Sequence, residues 1–288
     1  MAALGEPFVK DAFFEEEEFG QLVAEMGVTV DAFGVKKHPA RIFLFPLREV
    51  MDDGTVRTTS FVPGMFTNPA TEEGTRIVEA LRDRMHVPKS GERLNWDVRN
   101  NHVCASEMGA WVGVCPYAAK EMEELKLASS RDVVLHWKQN KRDTSAFQAD
   151  LDRGHREEPV FIDIMRQVFG LETVKFPMGT LCSEKMAATP DAIGANGLFG
   201  MEIKSAKGDI RNAMPASHYL QVQTGMACTA PTADSDPMVK HWLYVSGTTG
   251  GNRPGAVPIM LSVFLIPFND GVRRRLRAAT GTFTPPVS

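Results

Sequence analysis

The sequence predicts an α/β fold, a central mixed β-sheet flanked by helices, and three features of its C-terminal half predict it. Pro159 to Phe169 (PVFIDIMRQVF) sets Val160, Phe161, Ile164, Met165 and Val168 on one stripe at helical spacing. Three short strand-like runs follow, TVKFP, MAATPDAI and LFGMEIKS, and after them a helical run, HYLQVQTGMACTA. HWLYVSG and VPIMLSVFLIPF then read as strands and DGVRRRLRAAT as a closing helix. Helices alternating with strands in this way pack in layers around one sheet.

The elements before these are weaker. DAFFEEEEFGQLVAEMG suggests a short acidic amphipathic helix and RIFLFPL a strand. Thr71 to Met85 is a clearer helix, with Ile77, Val78, Leu81 and Met85 at helical spacing and Glu72 and Glu73 in its first turn. His86 to Asn95 reads as a polar loop. ASEMGAWVGV predicts a short helix capped near Ser106 and ended by Pro116, and Pro159 and Gly170 bracket the later helix. From Trp96 the chain reads as one continuous domain, 96–288, with residues 1–95 an N-terminal extension packed on it.

Length and composition are those of an ordinary soluble globular chain with room for a large core. MAALGEPFVK has no basic region followed by an apolar core, so no secretory signal is predicted. The longest apolar run, Val257 to Phe268, is too short to span a bilayer. Cys104, Cys115, Cys182 and Cys228 are scattered, without metal-ligand spacing, and read as reduced thiols of an intracellular, soluble protein. The net charge of −4 hides an asymmetry: residues 1–31 hold eight acids against Lys10, leaving 31 basic and 28 acidic residues elsewhere. Lys138, Lys141 and Arg142 cluster in HWKQNKR, and Arg273, Arg274, Arg275 and Arg277 in GVRRRLR. Such patches serve phosphate contacts or form solvated helix faces, and alone they favour the second.

The stretch ATPDAIGANGLFGMEIKSAKG concentrates charge in an apolar setting. Side chains on a strand alternate, so Glu202 and Lys204 share one face while Met201 and Ile203 share the other. Ala195-Asn196-Gly197 supplies a turn, which makes a hairpin with Asp191 on or near its first strand. A solvated Glu–Lys pair is one reading. Three outlying features favour another: Glu158 at the start of the amphipathic helix, Gln221 and Gln223 in the helix after the hairpin, and Arg99 and Ser106, seven residues apart, flanking the start of an earlier helix. Metal-assisted phosphodiester hydrolysis would use these groups. Asp191, Glu202 and the Ile203 carbonyl offer oxygen ligands to Mg²⁺ or Mn²⁺, and two ions would serve the attacking and leaving oxygens. Lys204 would offset charge developing on phosphorus, and Glu158 would complete the shell.

Taken in order, the motifs resemble the lambda-exonuclease group of YqaJ-like viral recombinases, within the PD-(D/E)XK nucleases. TPDAIGANGLFGMEIK carries the PD…(D/E)xK pattern; VCASEMGAWVGVCPY, RGHREEP and HYLQVQTGMACT resemble the group's further motifs. The likeness runs roughly from Trp96 to the strand near Phe268. It implies a restriction-endonuclease-like core, with Asp191 and Glu202 as metal ligands, Lys204 as catalytic lysine, Glu158 as first-motif glutamate and Gln221 or Gln223 as the active-site glutamine. Arg99 and Ser106 match the pair receiving a 5′-phosphate. It also implies degradation of duplex DNA from 5′ ends, a trimeric ring and a single-strand annealing partner. His218 departs from the group, which usually has tyrosine there. A structure-selective endonuclease on the same core and a non-catalytic DNA-end scaffold are the competing readings.

Overall fold

The computed structural model describes residues 42–44, 47–50, 56–59, 64–88, 95–140, 145, 148–206, 214–248 and 259–286. The acidic run at Glu15 to Glu18, with the helix expected around it, lies outside them, as do Lys141 and Arg142. The fold is mixed α/β, a mixed sheet flanked by helices. Its main sheet has seven strands: β1 (Ile42–Leu44), β2 (Leu47–Val50), β3 (Val56–Thr59), β7 (Ala192–Ile193), β8 (Gly200–Ser205), β9 (His241–Thr248) and β10 (Ile259–Pro267). They lie in the order β3-β2-β10-β9-β8-β7, with β1 also on β10. β8 runs parallel to β9, and β9 antiparallel to β10. A smaller sheet joins β4 (Val103–Cys104), β5 (Leu181–Ser183) and β6 (Met186–Ala188) in the order β4-β6-β5.

Among the described residues the helices are α1 (Glu72–Arg84), α2 (Trp96–Asn101), α3 (Ala105–Trp111), α4 (Pro116–Glu124), α5 (Ser130–Asn140), α6 (Gln148–Phe169), α7 (Ala216–Cys228) and α8 (Asp270–Thr280). Thr71 caps α1 through its hydroxyl, which accepts from the Gly74 N–H at 3.0 Å. Segments before residue 96 enter the core directly: β1 and β2 pair in parallel with β10, and Leu81 of α1 is fully buried.

Alternation divides β8 between two packed layers. Met201 and Ile203 join Phe161, Ile164 and Met165 of α6 in one apolar cluster. Tyr244 of β9, in register with Glu202, belongs to the other cluster with Leu220 and Val222 of α7. The site therefore faces α7, and α6 covers the opposite face. Gly109 lets α3 come close to α7, since a Cβ there would stand 2.5 Å from the Ser217 Cβ. Gly197 closes the β7–β8 turn at φ +72°, a left-handed conformation natural to glycine.

Several sequence boundaries are corrected. The helix expected from Pro159 begins at Gln148, and Pro159 lies inside it; the eleven preceding helical residues outweigh the one hydrogen bond a proline removes. TVKFP forms no strand, only an isolated bridge from Thr173 to Gly194. MAATPDAI splits at Thr189-Pro190 into β6 and β7, because proline cannot donate to a ladder. Ser106 is the second residue of α3, whose N-cap is Cys104, and Pro116 opens α4 rather than ending α3. No described helix is long and apolar enough to cross a membrane.

Candidate active site

The β7–β8 hairpin brings Asp191 against β8. Its N–H donates to the Met201 carbonyl at 3.2 Å, and its Oδ2 accepts the Ile203 N–H at 2.5 Å. A strand residue directs its N–H and C=O to the same side, so the Ile203 carbonyl faces the side where Asp191 sits and β7 has not yet begun.

Glu202 is buried, with 5 % of its surface exposed. One of its oxygens gathers two donors: Oε1 accepts from Lys204 Nζ at 2.5 Å and from Gln221 Nε2 of α7 at 2.6 Å. Burial opposes the charge of Lys204, but the carboxylates of Glu202 and Asp191 outweigh it and hold the ammonium above the usual lysine range. Asp191 moves the other way from a normal acid. Burial first, then the charges of Glu202 and Glu158, raise it well above the usual carboxylate range, and Lys204 and the Ile203 N–H offset this only in part.

Glu158 stands in the middle of α6, half-buried, where its charge reaches Asp191. Its neighbour Glu157, which sequence reasoning missed, makes the direct contact with β8. The Ser205 hydroxyl donates to Glu157 Oε2 and accepts from Arg153 Nε at 3.0 Å, so two α6 residues clamp the end of β8. The signal available was RGHREEP itself, whose Arg153 and Glu157 fall one helical turn apart. His155 is exposed on the same helix.

The two glutamines part company. Gln223 is fully buried, and both ends of its amide are committed elsewhere: Nε2 donates to the Pro267 carbonyl at 2.8 Å, and Oε1 accepts the Asn269 N–H at 2.9 Å. It ties the β10–α8 corner to α7. Its amide is thus turned away from the Glu202 carboxylate that Gln221 reaches, because residues two apart on a helix face different ways. His218, three residues before Gln221 and on its side of α7, meets Tyr244 through a 2.7 Å contact between Nδ1 and the phenol oxygen.

Arg99 and Ser106 come together in a narrow cleft that Gln221, Thr180 and Thr189 also line. They flank the start of α3, Arg99 from the short preceding helix α2 and Ser106 from the first turn of α3 itself. The Thr180 and Thr189 hydroxyls are 2.8 Å apart. The cleft holds about 50 Å³, far below the roughly 300–1,000 Å³ of a drug-sized ligand's site, and suits a small anionic group. Arg99 has a buried Nε without a hydrogen-bond partner among the described residues. Larger grooves beside α8 lie elsewhere. There Arg277 is paired with Glu184 and Asp234, and Arg273 with Asp270, so much of the GVRRRLR charge is spent within the fold.

No group of three or more His, Cys, Asp or Glu side chains stands at metal-holding distances among the described residues. The donors present are two carboxylates and one strand carbonyl, all oxygen. That chemistry suits a hard divalent cation with water in its shell.

No protein-family model matches the chain, and no curated protein does. Among solved structures it is similar to an alkaline exonuclease, LHK-Exo, from Laribacter hongkongensis, 17% identical over 65% of this chain and 87% of that one, with a TM-score of 0.44. The LHK-Exo complex with dAMP is 16% identical over 64% and 87%, TM-score 0.44. A phage-related exonuclease from Haemophilus somnus 129PT is 11% identical over 64% and 93%, TM-score 0.45. These are loose likenesses in outline, and the chemistry of the site is read from the residues above.

Proposed function

We propose that the chain is a metal-dependent deoxyribonuclease that degrades duplex DNA from 5′ ends. The observation that carries this is the position of Gln221, which donates to the buried Glu202 carboxylate and also lines the cleft of Arg99 and Ser106. One side chain thus joins an acid-rich centre to a cation-lined pocket, as an enzyme that grips a terminal phosphate and hydrolyses the next phosphodiester requires.

Asp191, Glu202 and the Ile203 carbonyl would hold Mg²⁺ or Mn²⁺, with Glu158 reaching the shell directly or through water. One or two bound ions would supply an activated water and Lewis-acid stabilisation of the departing oxygen. The chain's own groups do the rest. Lys204 stays protonated and sets a positive charge where phosphorus gains negative charge. Gln221 holds the Glu202 carboxylate in one orientation. The apolar packing of Met201 and Ile203 on α6 fixes β8, so these atoms are preorganised. Arg99 and Ser106 would receive the 5′-phosphate, the guanidinium by charge-assisted hydrogen bonds. A trimeric ring and an annealing partner for the surviving strand belong to the same reading and are supported by the motif resemblance.

The test is incubation with Mg²⁺ of linear duplex labelled separately at each end, beside covalently closed circles. The expected result is loss of label from 5′ ends as mononucleotides with circles intact. Cut circles would turn the reading to an endonuclease, and no cleavage with Mg²⁺ or Mn²⁺ would overturn it.

A further inference from the structure

Lys138 is the one described member of the HWKQNKR cluster beyond its first two residues and Gln139–Asn140, and it is no surface cation: its side chain is 2 % exposed. From the last turn of α5 its Nζ donates to the Arg99 carbonyl at 2.6 Å and to Glu107 Oε2 at 2.7 Å. The same Glu107 oxygen accepts the Cys104 N–H at 2.9 Å, and Glu107 Oε1 lies 3.7 Å from Arg99 Nη2. One ammonium therefore holds both the backbone that carries Arg99 and the carboxylate beside its guanidinium. Trp96 covers the guanidinium on another side, 5.9 Å from the ring centroid.

Among the described residues the charges do not cancel: Arg99 and Lys138 face one carboxylate, Glu107, and Arg99 Nε is buried without a partner while the residue lines the cleft. An unbalanced positive charge held largely away from water is costly unless an anion completes it. A pair serving only stability would gain nothing from leaving that donor unmet.

We propose that Lys138 is a positioning residue that, through Glu107 and the Arg99 backbone, aims Arg99 at a terminal phosphate and so sets the preference for phosphorylated DNA ends. This rests on the reading of the cleft as a 5′-phosphate pocket. Lys138 does not touch the phosphate; its effect passes through Arg99.

The test measures affinity for short duplexes with 5′-phosphate and 5′-hydroxyl ends in the absence of divalent cations, so that cleavage does not enter. For the wild-type protein the phosphorylated end should bind about tenfold tighter or more, the size of a charge-assisted hydrogen bond. Lys138→Met should collapse that ratio to within about twofold, and Lys138→Arg should restore most of it, since a second cation can hold the same acceptors. A general loss of structure would weaken both ends alike. Should Lys138→Met fail to fold, Glu107→Gln removes the charge that Lys138 holds while keeping an acceptor for Cys104, and it should also lower the ratio. A folded Lys138→Met or Glu107→Gln protein with the wild-type ratio overturns this inference and leaves the pocket standing. A wild-type protein without preference overturns both.

Discussion

Two charged centres share the Gln221 side of the fold, and their imbalances have opposite sign. Around Glu202 the carboxylates of Asp191, Glu202 and Glu158 lie near one Lys204, and burial first, then the charges of Glu202 and Glu158, drive Asp191 well above the usual carboxylate range. Around Arg99, among the described residues, two cations face one Glu107 and a guanidinium nitrogen is left without a partner. On the proposed reading a cation would complete the first centre and a phosphate the second. A fold selected for stability alone would pair such groups evenly or replace them with apolar ones. The difference is what the proposed nuclease reading needs, a cation and a phosphate held side by side.

The largest effect expected from breaking this arrangement is at Lys204. Lys204→Ala should lower turnover about 10²-fold or more, because it removes a charge placed for the transition state. Steady-state rates on linear duplex, with circular dichroism to confirm the fold, check it. An undiminished rate would remove the acid-rich centre from the chemistry.

At the other centre, Arg99→Ala should cut the preference for 5′-phosphorylated over 5′-hydroxyl ends by roughly 10–100-fold, the value of a hydrogen bond to a charged group. Competing the two ends in one reaction gives that ratio directly. Equal losses on both would show that Arg99 serves the fold.

A third contrast lies within α7. Gln221→Ala should reduce kcat while moving the melting temperature little. Gln223→Ala should do the reverse, with a cost of about 1–3 kcal/mol from its unpaired buried partners. Melting curves and kinetics on the two proteins separate the roles, and a matched loss of kcat in both would contradict the division.

The smallest effect concerns Asp191. Its carboxyl holds a proton to higher pH in the folded chain than in the unfolded one, so its charge opposes folding at neutral pH. Stability should therefore rise as pH falls from the raised value toward the ordinary aspartate range near about 3.9. Asp191→Asn should raise the melting temperature at pH 7, by roughly 2–4 °C for each kcal/mol recovered, and the gain should shrink below about pH 4. Mg²⁺ should add stability to the wild-type protein and not to the variant. Thermal melts across pH, with and without Mg²⁺, read all of this. A variant less stable at pH 7 would contradict the sign.

Much of the acid-rich centre was legible because it is local. Alternation put Glu202 and Lys204 on one face, and a turn of three residues returned the chain to Asp191. The helix after the hairpin was equally readable, but the choice between Gln221 and Gln223 was not. It depends on where Pro267 and Asn269 come to lie, some forty residues away. Glu157 was hidden for a related reason. Pro159 marks a helix start in sequence, yet α6 runs through it, so the helix phase at residues 153–158 was open until β8 packed against it. Lys138 is the furthest case. Nothing local separates a buried lysine from its exposed neighbours, and only the meeting of α5 with α2 and α3 does so.

The central claim is that the two centres act on one strand end. A blunt duplex carrying a 5′-phosphate on one strand only, incubated with the protein and Mg²⁺, tests it in a single measurement. Loss of the phosphorylated strand with survival of its complement is the result expected. Equal loss of both strands, or of neither, would contradict it.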